Sequence, residues 1–160
     1  MKTVDSKWIW VYNRILNSKQ QEKQMAYMSQ ERKSEIAPNV KAVLKKFGIK
    51  GSLSVRHHST LSLTLKSGNI DFIGNSNRVC GSDHYQVARG FKPNASGYDS
   101  INPYWFHEHY DGDAKAFLTE VMEAMNDGNW DKSDIQSDYF NVGWYVEVHI
   151  GKWNKPYILG

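Results

Sequence analysis

Apolar residues follow two rhythms along this chain, one near 3.6 residues and one of 2. In residues 7–17, Trp8, Val11, Tyr12, Ile15 and Leu16 recur at helical spacing, and Ser6 is placed to cap the first turn. The polar run NSKQQEKQ follows, so residues 1–27 read as a separable N-terminal helical extension. Ser29 is a second start signal. Ile36, Val40, Val43, Leu44 and Phe47 then recur every three or four residues, and Gly48 stands where a left-handed cap closes a helix. Pro38 predicts a break, hence a short turn over 30–36 and a helix over 38–47. The stripe Ala114, Phe117, Leu118, Val121, Met122 and Met125 predicts a helix over 113–126, capped by Asp111 or Asp113 and closed by Gly128.

The period of 2 begins after Gly48. Leu53, Val55 and His57 alternate with Ser54, Arg56 and His58, and Leu61, Leu63 and Leu65 alternate with Ser62, Thr64 and Lys66. These are two half-buried strands of an antiparallel hairpin turning at HHST. IDFI at 70–73 reads as a third strand, Tyr104–Tyr110 as a short one, and Val142–Ile150 as a strand with Trp144, Val146, Val148 and Ile150 inward. Residues 74–103, rich in Gly, Asn and Ser, read as a long loop, and the tail GKWNKPYIL as an irregular cover or edge. The sum is an α+β fold: a small antiparallel sheet of three to five strands with helices packed on one face, in a single domain over 28–160.

Composition narrows the class. In 160 residues, 40% apolar and 13% aromatic side chains suffice for one core, which excludes a disordered chain. No apolar run nears the ~18 residues of a membrane span. The start, MKTVDSKWIWVYNRIL, is not a secretory signal, and the lone Cys80 points to a reducing, cytoplasmic setting. The net charge of +3 is split: residues 1–70 carry 13 basic and 4 acidic side chains, residues 71–160 carry 7 and 13. A basic half can follow phosphate; an acidic half can meet a basic partner or face the basic half.

Several groups carry candidate chemistry. Lys41, Lys45 and Lys46 share a face of the predicted helix and, with Lys50, Arg56 and His58, make a candidate nucleic-acid-binding surface. Exposed aromatics stack bases or anchor partners; Tyr104, Trp105, Tyr145 and Trp153 are the candidates, Tyr145 because it falls on the polar face of the last strand. On a strand, His107 and His109 would face the same way and reach one metal, with His149, Glu147 or Asp111 as third ligand, the basis of a Zn-dependent nuclease or hydrolase. Asp131, Asp134 and Asp138 with Gln136 can hold Mg²⁺, although turn and cap roles explain them more simply. Ser59 beside His58 lacks the spacing of a catalytic triad. No phosphate-cradling glycine motif is present, and no cofactor is expected outside the metal alternative.

The run MSQERKSEIAPNVKAVLKKFGIKGSLSVRHHSTLSL, then IDFIGN, then the stretch from INPYWF to WNKPY is similar to small proteins of bacteriophages and conjugative plasmids. They resemble one of the large polyvalent protein-associated domains. VRHHSTL, NPYWF, SDIQSDYF and GWYVEVHIGKW carry the resemblance, which covers about residues 28–158. It implies expression in an invaded bacterial cell and assigns roles to none of Arg56, His58, Ser59, Tyr104, Trp105, Asp134, Gln136, Asp138, Tyr145 or Trp153. With a small domain, a split charge and no catalytic motif, the expected function is counter-defence of the anti-CRISPR kind: an interaction protein that binds a host nucleoprotein or its nucleic acid. The alternative is the metal-dependent nuclease.

Overall fold

The computed structural model describes residues 25–137 and 141–160. The segment at 7–17 and Asp138 lie outside the described residues. Ser29 starts α1 (Gln30–Lys46) by accepting the Arg32 backbone N–H at 3.0 Å. The helix runs through Pro38 instead of breaking there. Pro38 removes the one N–H that would bond the Ser34 carbonyl, and both residues are exposed, so water can serve that carbonyl while Ile36, Val40 and Leu44 remain buried on the other side. Gly48 takes φ +67°, and the Ile49 N–H returns to the Leu44 carbonyl at 2.9 Å, closing the helix as its glycine predicts.

β1 (Lys50–Arg56) and β2 (Thr60–Gly68) form the expected hairpin. His57 and His58 occupy its turn with φ +52° and +56°. The predicted third strand at 70–73 is instead a helix start. Asp71 accepts the Gly74 N–H at 2.9 Å and opens α2 (Phe72–Ser82), followed by α3 (His84–Ala88). The region read as a loop thus holds two helices and β3 (Asp99–Ile101). Tyr104–Tyr110 is not a strand either: it contains α4 (Phe106–His109). α5 (Gly112–Met125) matches its predicted stripe, with all six apolar positions buried. A 3₁₀ turn spans Ile135–Ser137, and β4 (Tyr145–Ile150) and β5 (Ile158–Leu159) complete the chain.

The fold is α+β: the described residues form five helices and a five-stranded sheet of order β1-β2-β4-β3, β5 pairing with the end of β2. The sheet is mixed, not wholly antiparallel: β2 runs parallel to β4 and to β5. The long helical connection between β2 and β4 permits this, since a parallel pair needs a crossover and not a tight turn. The core lies on one side. Leu61, Leu63, Leu65, Val148 and Ile150 from the sheet meet Val40, Leu44, Phe72, Phe117, Leu118 and Val121 from the helices. Phe117 makes ring contacts with Phe47 at 5.4 Å and Phe72 at 5.5 Å. Trp144, buried just before β4, donates its indole N–H to the Met125 carbonyl at 3.1 Å. Among the described residues, no helix is long and apolar enough to cross a membrane.

Candidate nucleic-acid interface

Strand alternation sends Leu and Val to the core and leaves polar side chains on the other face of the sheet. The register sets them in rows: Arg56–Thr60–Tyr145, then Ser54–Ser62–Glu147, then Ser52–Thr64–His149–Ser100. Thr60, Ser62 and Thr64 are buried although polar: they are short, lie on a central strand, and stand beside the longer Tyr145, Glu147 and His149 of β4. The small hydroxyls of the middle row form a trough, across which the Arg56 guanidinium reaches Glu147 Oε2 at 3.0 Å. The same oxygen lies 3.2 Å from His149 Nε2, and His149 Nδ1 lies 2.9 Å from Ser100 Oγ. A serine, an imidazole and a carboxylate are therefore linked, and the same carboxylate also accepts from Arg56.

Two cavities flank this network. One, of about 730 Å³, is lined by Ser59, Thr60, Tyr104, Asn129, Trp130, Asp131, Tyr145 and Glu147. The other, of about 410 Å³, is lined by Ser54, Arg56, Ser62, Tyr98, Asp99, His149, Lys152 and Trp153. Aromatics thus stand at both ends of a hydroxyl floor, with Trp153 78% and Tyr104 71% exposed. A third cavity, of about 610 Å³, continues past Thr64 to Lys66, Lys152 and Lys155.

Of the predicted partner-binding aromatics, Tyr104, Tyr145 and Trp153 line these cavities, and Trp105 is exposed beside Tyr104 in the chain. The predicted basic set divides. Arg56 is on the open face and His58 at the hairpin turn, whereas Lys41, Lys45 and Lys46 are exposed on α1, in the helical layer, and Lys50 begins β1. Lys46 is engaged by Glu120 at 2.7 Å. Lys66, Lys152, Lys155, Tyr98 and Ser100 were missing from the expected set. Lys66 shares the alternation of Ser62 and Thr64, a readable signal; the other four reach the site through strand order, which periodicity does not encode.

The metal candidates are not gathered. His107 and His109 sit two apart on a helical turn, where i and i+2 positions do not face each other, and the His107 ring packs on Phe106 at 4.1 Å. His149 belongs to the sheet network. Asp111 is bound by Asn75 at 2.8 Å and by Arg78, which hold its carboxyl below the ordinary range. Asp131 and Asp134 bond the Ser133 and Gln136 backbone N–H groups and the Ser137 hydroxyl, turn contacts that likewise lower their pKa values. Among the described residues, no cluster of three His, Cys, Asp or Glu side chains is placed to hold a metal. Compared with known proteins, the chain matches no family model, no curated protein and no solved structure.

Proposed function

We propose that the chain is a counter-defence interaction protein of a phage or other mobile element, and that it binds nucleic acid held by a host nucleoprotein. The open sheet face is the contacting surface. The observation that carries this reading is a sheet that, among the described residues, is covered by helices on one side only, and whose other side is a hydroxyl floor with exposed aromatics and cations at its margins. A flat floor with ring faces suits unpaired bases, which stack on Tyr and Trp, and point charges beside it follow the phosphates. A duplex offers its bases only inside grooves, which a flat sheet face does not enter. The phosphate contacts assigned to this face are Arg56, Lys66 and Lys152, and the stacking groups are Tyr145, Trp153 and Tyr104.

Fluorescence anisotropy with single-stranded DNA, single-stranded RNA and duplex DNA, each at low and physiological salt, tests the reading. Single strands should bind more tightly than duplex, with affinity falling steeply as salt rises. Trp153→Ala should cost about 1–3 kcal/mol, the worth of one stacked base. Absence of binding to any strand at low salt would overturn the proposal.

A further inference from the structure

We infer that the cavity of about 610 Å³ at the Lys66 end of the sheet is a site for a phosphate monoester, specifically the 5′-phosphate of a nucleoside, free or at the end of a strand. This deepens the reading of the open face, which the cavity adjoins through Thr64 and Lys152.

The cavity by Trp130 includes Asp131 and Glu147, the one by Tyr98 includes Asp99, and one between α1 and α5 includes Glu120, Glu123 and Asp127. The Lys66 cavity has three lysines in its lining and no carboxylate. Among the described residues, Lys66, Lys152 and Lys155 make no ion pair. Three ammonium groups without a counter-charge attract anions, and they favour a monoester over a diester: the monoester carries a charge of about −1.5 to −2 at neutral pH, the diester about −1. Ser52 and Thr64 add hydroxyl donors at the sheet edge of the cavity.

The rest of the wall is apolar. Pro156, Tyr157 and Ile158 give a surface that inorganic phosphate alone would not use and that a flat ring would. The turn that carries two of the lysines is braced: the Lys152 N–H bonds the Lys155 carbonyl at 2.8 Å, and the Lys155 N–H returns to Lys152 at 3.1 Å. Gly151 holds φ +62° at its entrance, and the Tyr157 N–H bonds the Gly97 carbonyl at 2.9 Å. A braced turn loses little freedom when an anion binds, which leaves more of the contact energy as affinity.

The experiment uses the full chain and two sets of probes. Calorimetry compares adenosine 5′-monophosphate, adenosine and inorganic phosphate; anisotropy compares one oligonucleotide with a 5′-phosphate and with a 5′-hydroxyl. The monophosphate should bind at least about tenfold more tightly than adenosine or phosphate, and the 5′-phosphate should raise strand affinity by a similar factor. Lys66→Ala/Lys152→Ala/Lys155→Ala should erase both increments, with single Lys152→Ala lowering each; all three side chains are exposed, so circular dichroism should be unchanged. Equal binding of the monophosphate and adenosine, with no increment from the terminal phosphate, would overturn the inference whether or not strands bind. If the monophosphate binds at the lysines while no strand binds the sheet face, the inference stands and the open-face reading falls.

Discussion

Tyr157 offers a test of how its corner of the fold is packed. Its hydroxyl oxygen is buried without a hydrogen-bond partner, and it lies so close to Gly68 that a methyl group there would come within 2.8 Å of it. The ring packs edge-on against Phe72 at 5.6 Å. Tyr157→Phe keeps that ring contact and deletes only the unpaired hydroxyl. A buried, unsatisfied polar group costs about 1–3 kcal/mol, and the half-buried setting of the residue places Tyr157 at the low end. The variant should therefore be more stable by about 1 kcal/mol, a rise in Tm of about 2–4 °C for a chain of this size. The pH dependence gives a second readout. Burial, with the Asp71 charge behind it, pushes the hydroxyl pKa up to about 12. The folded chain then keeps a proton that the unfolded chain releases near pH 10. That contribution is complete below about pH 10 and is lost as pH climbs through the folded value, so the advantage of Tyr157→Phe should widen between about pH 10 and 12. Urea titrations at neutral pH and at about pH 11 measure both effects as shifts in midpoint at constant slope. A variant less stable than wild type by 1 kcal/mol or more, or an advantage that stays flat with pH, would refute the reasoning.

Other residues give shorter tests. His57 and His58 both sit in the left-handed region at a cost of about 1–2 kcal/mol each, so His57→Asn/His58→Gly, suited to that turn, should raise stability by about 1 kcal/mol or more in urea; a lower midpoint would refute it. Trp144→Phe leaves the Met125 carbonyl unpaired and sets a smaller, weaker π-face where the indole lies 5.1 Å from the Arg32 guanidinium, and should cost about 2–3 kcal/mol by thermal unfolding; an unchanged transition would refute it. Arg78 and Asn75 lower the Asp111 pKa, so this carboxylate's contribution is present above about pH 4 and is lost as pH falls through its folded value; Asp111→Asn should flatten the acid limb of stability, and an unchanged limb would count against the contact. Glu147→Gln weakens the hold on Arg56 and should tighten single-strand binding and steepen its salt dependence by about one phosphate contact.

What the sequence revealed and what it hid divide by range. α5 and the β1–β2 hairpin were legible because long periodic runs carry their own packing pattern. α2 was not. Its sequence, FIGNSNRVCGS, is poor in helix formers, and the preceding IDFI reads as strand. The helix is held by Asp71 at its start, by buried Phe72 and Cys80, and by long-range amide bonds from Asn75 to Asp111 and from Asn77 to Asn94, both at 2.8 Å. Such contacts leave no local trace. The candidate site shows the same division. Alternation marked Tyr145, Arg56 and Ser54 as outward, but the antiparallel pairing of β3 with β4, which brings Ser100 to His149, and the parallel docking of β4 on β2, which brings Lys152 toward Lys66, depend on strand order.

The charge split resolves by the same route. Strands from the basic half and the acidic half lie side by side in one sheet, so residues far apart in sequence become ion-pair partners: Arg56 with Glu147, and likewise Lys46 with Glu120 across the helices. Among the described residues, two ion pairs thus join the halves of opposite charge. The cations that, among the described residues, make no ion pair at the sheet's end come from both halves, Lys66 from one and Lys152 and Lys155 from the other. Exposed ion pairs contribute little to stability, about 0–1 kcal/mol, so their main effect here is to decide which charges remain for a ligand. A polyanion approaching the open face would therefore meet a polarised surface, with Glu147 and Asp131 toward Trp130 and, at the other end, three lysines that make no ion pair among the described residues. On the proposed reading, that polarity would orient a strand before any base stacks and would set its most highly charged part, a terminal phosphate, at the lysine cavity.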